Sequence, residues 1–362
     1  MACSPLDCLA LKLRILSEGI HVSTEASAAL AMNSGLIASD DYSTTSGLPL
    51  GLGCDYYVNA PFRERFVVDP TFTLNVRGTG FVLSNDHEDH VVAVFPLPSY
   101  HGQAASSGIP FSRIINTHTD RARINPVEGC ALRCDFCDAP ARSRYRLNTV
   151  GDICEAVAVA IRDPRHPARH ILVSGGTPAK QDELNVEEIY EAVADKSSVP
   201  VDVMMSPRDD LGCVDRLHAY GINDLFVNVE GGDSVLAKRI MKGKAEIGLQ
   251  GYGAFLERAV KCFGIGRVLS LIVVGIEEAK FSIDICRFLC ERGVIPVLSP
   301  FRPARFTPYE ASRPPASDFL LSVLNACEEI ASKYGLFLGP KCKACNHNTL
   351  NRPESDTRYI EY

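Results

Sequence analysis

Between residues 122 and 300 the chain alternates short apolar runs with amphipathic stretches of helical period. The runs are ARINPV (122–127), HILVSG (170–175), VDVMM (201–205), DLFVNVE (224–230), RVLSLIVVG (267–275) and VIPVLSP (294–300). Each is strand-length, rich in branched side chains and largely without polar alternation, as expected of parallel strands covered on both faces. The spacing predicts helices between them over 150–161, 186–194, 213–219, 252–263 and 282–291. Such alternation builds right-handed crossovers. The fold class expected is therefore α/β, a partial (β/α)6 barrel of TIM type whose site lies at the C-terminal ends of the strands. A doubly wound open sheet is the competing arrangement, because it buries its strands in the same way.

The flanks have another texture. A helix is expected in CLALKLRILSEG (8–19), followed by a Ser/Gly/Asn-rich passage and short runs at 66–68, 72–76, 80–83 and 91–95. These predict a small N-terminal α+β extension or lid over residues 1–120, ahead of a barrel core at 121–310. A helix at 319–334 and a cysteine-bearing tail make up the C-terminal segment, 311–362.

Composition narrows the setting. With 46% hydrophobic and 22% charged residues, the 362-residue chain has the balance of a folded globular protein. A net charge of -7 and the lack of a basic stripe argue against nucleic acid as the main partner. No signal peptide is readable, and the apolar runs are too short to span a bilayer. A cytoplasmic location follows as the expectation. There the 14 cysteines suggest ligands and buried thiols more than disulfides.

The passage EGCALRCDFCDAP carries Cys130, Cys134 and Cys137 just after the first barrel strand. Three thiolates spaced C-x3-C-x2-C on one loop can converge on a single metal centre. If that centre is a four-iron cluster, one iron keeps an open coordination position. A zinc knuckle completed by a distant His118, His166 or His170 is the competing centre.

With Phe136 directly before the last cysteine, this loop and the strand pattern over 122–300 resemble the radical S-adenosylmethionine (SAM) superfamily. The resemblance implies a [4Fe-4S] cluster on the three thiolates and SAM on the open iron. Reductive cleavage would then yield methionine and a 5′-deoxyadenosyl radical. It further implies that Phe136 shapes the adenine site, that Gly175, Gly176 and Thr177 meet the amino end of SAM, and that Ser206 adds a polar contact. Glu230 would bind the ribose or amino end, and Val273 and Gly275 would border adenine. Family members often carry an acidic residue after the paired glycines, where this chain has Thr177, so a backbone contact is the firmer expectation there.

Other groups are less specific. Lys238, Arg239, Lys242 and Lys244 could attract a carboxylate or form a solvated helix end, and Arg302 and Arg305 could hold an anion or merely a loop. In the tail, KCKACNHNT offers Cys342, Cys345 and His347 as candidate ligands for an auxiliary Fe–S cluster or zinc, with Cys3, Cys8 and Cys54 as distant supplements.

The expected function is reductive SAM cleavage followed by hydrogen abstraction from a small metabolite, with flavodoxin or ferredoxin as the kind of electron donor implied. A noncatalytic metal-binding module and a conventional α/β enzyme with a structural zinc knuckle are the alternatives.

Overall fold

A computed structural model describes residues 4–34, 47–353 and 356–362. Cys3 and residues 35–46 of the Ser/Gly/Asn-rich passage lie outside the described residues.

Helix α1 (Pro5–Glu18) starts at a capping box, in which Ser4 and Asp7 satisfy each other's backbone N–H groups and Pro5 opens the first turn. Then follow β1 (His21–Val22), α2 (Thr24–Ser34), β2 (Leu48–Gly53), β3 (Tyr56–Ala60), β4 (Thr73–Arg77), β5 (Gly80–Ser84) and β6 (Asp89–Val94). They form a six-stranded sheet in the order β1-β4-β5-β6-β2-β3, antiparallel except for β1 beside β4. Three of the four expected runs fall on β4, β5 and β6. The run at 66–68 forms no strand: Val67 instead closes a turn on Glu64.

The barrel region comprises α3 (Phe111–Ile114), β7 (Ile115–His118), β8 (Arg121–Ile124), β9 (Val127–Glu128), α4 (Ala139–Arg142), β10 (Arg146–Leu147), α5 (Val150–Ile161) and β11 (His170–Val173). It continues through α6 (Glu183–Lys196), β12 (Val201–Met205), α7 (Gly212–Ala219), β13 (Leu225–Val227), α8 (Ser234–Ile240), α9 (Lys242–Phe263), β14 (Val268–Val274), α10 (Ala279–Cys290) and β15 (Ile295–Pro300). The helix α11 (Ser317–Lys333) follows.

Six strands, β8, β11, β12, β13, β14 and β15, run parallel as neighbours in chain order, and β7 adds an antiparallel edge to β8. This is the expected partial (β/α)6 barrel with N-terminal α+β elements and a C-terminal helix and tail. Helix starts follow local chemistry: Thr149 caps α5 by accepting from Asp152 N–H at 3.1 Å, and Asp233 caps α8. Helix α9 begins well before the expected 252, since a kink at Gly248 (φ 64°) lets a Gly-rich segment join it.

The sheet does not close, and the tail fills its seam. Leu350 N–H donates to Leu298 O on β15 at 2.9 Å, and Thr119 Oγ1, in the β7–β8 turn, donates to Ala344 O at 3.0 Å. The fully buried Lys12 of α1 reaches across to donate to Asn346 O at 2.6 Å.

Candidate active site

Side chains alternate across each barrel strand, with one set meeting the helices and the other the lumen. Ala122, Ile124, Val173, Val203, Val227 and Ile272 are buried core. The opposite set includes Arg121 and Arg123, Leu172 and Ser174, Phe226, Asn228 and Glu230, and Leu271 and Val273; it lines a cavity of about 340 Å³. Cys130, Cys134, Phe136 and Cys137 face the same cavity from the loop after β8.

Glycines and backbone contacts fix that loop. Gly129 has φ 65°, and a Cβ there would lie 2.7 Å from Ser143 O. Gly176 sits so close beneath the loop that a Cβ would fall 1.8 Å from Gly129 O. Thr177 grips the loop from below: its N–H donates to Cys130 Sγ at 3.1 Å and its carbonyl accepts from Ala131 N–H at 2.9 Å. From the other side, Asp135 N–H donates to Ile240 O at 2.7 Å. Gly176 and Thr177 therefore hold the thiol loop directly, while Gly175 packs against Asn125 and Val127 just before it. Thr177 Oγ1 also lies 3.1 Å from Ser206 Oγ, and both residues line the cavity.

Burial, followed by nearby Glu230, pushes the Cys134 thiol up to about 12, and burial pushes Cys137 up to about 11. Thiols in such surroundings stay protonated until a cation compensates the desolvated charge. Among the described residues, the three sulfurs belong to no set of donors drawn within 4.8 Å of one another, as a single zinc would require. Of the proposed zinc partners, His166 bonds to Pro96 O at 2.9 Å and to Thr119 O, and His170 lies 3.2 Å from Cys345 Sγ.

Glu230 stands three residues beyond β13, bridged to Ile272 of β14, with φ 71°, a left-handed conformation rare for a side-chain-bearing residue. Its N–H donates to Leu271 O at 2.9 Å and its carbonyl accepts from Val273 N–H at 2.8 Å, so the backbone is pinned in that state. Oε1 pairs with Lys244 Nζ at 2.8 Å, whereas Oε2 is buried without a hydrogen-bond partner. Of the four cations after this strand, Lys238, Arg239 and Lys242 are exposed and only Lys244 turns inward. Val273 lines the cavity. Gly275, by contrast, packs under Pro315, where a Cβ would lie 2.6 Å from Pro315 Cγ. Arg302 lines the cavity and donates to Asn59 O at 2.9 Å, while Arg305 reaches Arg63 O at 2.7 Å.

At the opposite rim, Cys342 and Cys345 meet Asp120 and His170, with all four donor atoms within 4.8 Å of one another. His347 is not in this group. Its ring stacks on His118 at 5.7 Å, and its Nδ1 lies 3.2 Å from Ala344 O. Cys8 and Cys54 are outside the group as well; Cys8 Sγ donates to Leu52 O at 3.5 Å. Asp120 and His170 escaped the sequence reading as partners of the tail cysteines. The available signal was positional: Asp120 directly precedes β8, His170 opens β11, and Arg121 pairs with His170 across those neighbouring strands.

The sequence model of the Radical SAM superfamily matches residues 124–288. No curated protein matches the chain in sequence. Among solved structures, methylornithine synthase is similar with a TM-score of 0.49 and 16% identity, over 63% of this chain and 68% of that one. A radical SAM methyltransferase from Sphaerobacter thermophilus gives 0.48 and 18%, over 75% and 77%. The FeFe-hydrogenase maturase from Carboxydothermus hydrogenoformans gives 0.49 and 18%, over 61% and 54%.

Proposed function

The chain belongs to the radical SAM superfamily, and from that premise we propose that it binds a [4Fe-4S] cluster through Cys130, Cys134 and Cys137 and cleaves SAM reductively to act on a small acidic metabolite. The observation that carries this reading is the thiol loop itself, pinned by Gly129, Gly176 and Thr177 and opening into the barrel lumen. When bound, cluster and SAM would supply methionine and a 5′-deoxyadenosyl radical able to abstract hydrogen.

The protein's own residues orient and enclose. The unpartnered Glu230 Oε2 is an acceptor suited to a ribose hydroxyl or an ammonium group, with Lys244 holding the other oxygen. Phe136 and Val273 offer apolar surface for adenine, and Ser206 and Thr177 offer hydroxyls. The amino end of SAM would approach the backbone at Gly175 and Gly176, while Gly275 would act at one remove, by seating the β14 end against Pro315. A cavity of about 340 Å³ suits a small ligand.

Deeper in the lumen, Arg121 and Arg123 project from the same face of β8, while Arg302 lines the cavity from beyond the C-terminal end of β15. Burial and the neighbouring Arg121 depress Arg123 to about 10, so an anion between these guanidinium groups would be favoured. That supports a carboxylate- or phosphate-bearing substrate.

The proposed setting is the cytoplasm, with a flavodoxin or ferredoxin as reductant. No helix among the described residues is long and apolar enough to cross a membrane. The division into an extension (1–120), a core (121–310) and a tail (311–362) is kept as the proposed organisation. Anaerobic reconstitution with iron and sulfide should give reductant-dependent 5′-deoxyadenosine. Full cleavage after replacing all three loop cysteines by alanine would overturn the proposal.

A further inference from the structure

The second group of donors lies at the N-terminal ends of the strands, away from the thiol loop. Asp120 sits in the β7–β8 turn, His170 is the first residue of β11, and Cys342 and Cys345 come from the tail, 222 and 225 residues beyond Asp120. Cys342 Sγ lies 3.3 Å from Asp120 Oδ1, and Cys345 Sγ lies 3.7 Å from the same oxygen. His170 Nε2 is 3.2 Å from Cys345 Sγ and 3.5 Å from Asp120 Oδ1.

These separations can be compared with what one ion demands. Zinc bonds of about 2.3 Å to sulfur and about 2.0–2.1 Å to nitrogen or oxygen give tetrahedral edges of about 3.3–3.8 Å. These four edges fall within about 0.1 Å of that range, and the other two of the six are no longer than 4.8 Å. A two-iron cluster fits less well, because it splits its four ligands between two metals and cannot gather all of them within 4.8 Å. A Cys–His nucleophile pair would explain Cys345 and His170 alone. It would give no reason for a second thiol and a carboxylate to crowd the same imidazole nitrogen, and it would leave its sulfur only 3% exposed.

The surroundings are those of a built site. Cys345 N–H donates to Cys342 Sγ at 3.3 Å, which orients the first sulfur from within its own turn. Asp202 stands 3.8 Å from His170 Nδ1, on the far side of the ring, and Tyr362 stacks over the imidazole at 4.2 Å. His170, Cys342 and Cys345 are all buried. Two sulfurs, one nitrogen and one oxygen form a borderline-soft set that suits zinc better than magnesium or calcium.

We propose that Asp120, His170, Cys342 and Cys345 bind a single zinc ion that clasps the tail to the lower rim of the barrel. Binding releases the two thiol protons to solvent and involves no change of oxidation state. The clasp has a consequence for the lumen, since the turn it holds includes Cys345, His347, Asn348 and Thr349, which line the same cavity as the loop cysteines. Zinc would thereby fix the floor of the chamber whose roof is the SAM site. The assignment stands independently of the radical reading.

The test uses the full chain, both as wild type and with Cys130, Cys134 and Cys137 replaced by alanine so that the loop holds no iron. Metal analysis should find one zinc per chain in both forms and none in C342S/C345S. Cobalt titration of the metal-stripped loop-cysteine variant should give tetrahedral ligand-field bands with thiolate-to-cobalt charge transfer. H170A, which keeps both thiols, should weaken cobalt binding by at least ~10-fold. Zinc-free wild type from zinc-replete cells, zinc retained by C342S/C345S, or an iron–sulfur chromophore in the loop-cysteine variant would each overturn the assignment. The cobalt spectrum of the loop-cysteine variant decides the matter even if C342S/C345S fails to fold.

Discussion

Replacing Gly176 by alanine tests whether the paired glycines act as the bed of the thiol loop. The new methyl group would stand 1.8 Å from Gly129 O and 2.9 Å from Cys130 Cα. Ordinary contact for such atoms is roughly 3.3 Å, so the loop and the end of β11 must separate by ~1.5 Å. Neither side can yield by turning a side chain, since both are backbone. Overpacking of this kind costs about 1–3 kcal/mol, and rigid partners on both sides place the substitution near the upper figure. The displacement acts on the residue before Cys130 and on the N–H that Thr177 directs at its sulfur. Misplacement by about 1 Å can cost roughly 10²-fold in rate, so G176A should lose at least ~10²-fold in reductive SAM cleavage.

The assay is anaerobic reconstitution followed by iron and sulfide content, thermal unfolding and 5′-deoxyadenosine formation. G151A is the control. Gly151 is exposed on α5 with nothing nearer its added carbon than Thr149 Oγ1 at 3.8 Å, so the variant should keep full activity and gain about 0.5–1 kcal/mol. A G176A protein with wild-type iron content and wild-type cleavage rate would refute the argument that these contacts set the loop.

Two further substitutions probe the lumen and its floor. K244M leaves the Glu230 carboxylate in a largely enclosed site without its 2.8 Å partner and should cost about 2–3 kcal/mol in chemical unfolding; a double-mutant cycle with E230Q that shows no coupling would contradict the pairing. K12M strips the donor from Asn346 O, and should cost about 1–3 kcal/mol and speed hydrogen exchange across 341–351; unchanged exchange there would show that α1 does not hold the tail.

The barrel was readable because its strands are covered on both faces. Their apolar runs stand out without alternation, and five of the expected helices overlap observed ones, with 150–161 matching α5 at both ends. The sheet before it was less readable. LPLGLG carries glycine and proline yet forms β2, because β3 and β6 pair with it on either side, whereas the β-prone Phe66 and Val67 end in a turn. The thiol loop was legible because all three cysteines fall within eight residues. The tail site was half legible for the opposite reason. Local spacing revealed Cys342 and Cys345 and suggested His347, but its other two donors are set by strand register, which brings Asp120 and His170 to one rim.

The two ends of the lumen are thus secured by different means. Above, the thiol loop rests on main-chain contacts from Gly176 and Thr177, which leave little room for substitution. Below, the floor is reached by side chains from distant parts of the chain: Lys12 to Asn346, Thr119 to Ala344, and Lys343 to Asp55 at 2.6 Å. Because the barrel sheet stays open between β15 and β7, something must cover the edge of β15, and Leu350 does so through its bond to Leu298. The tail turn that seals the seam also carries Cys345, His347, Asn348 and Thr349, which line the cavity. Changes in the tail can therefore reshape the lower end of the chamber without moving the three sulfurs, whereas changes at Gly176 cannot spare them.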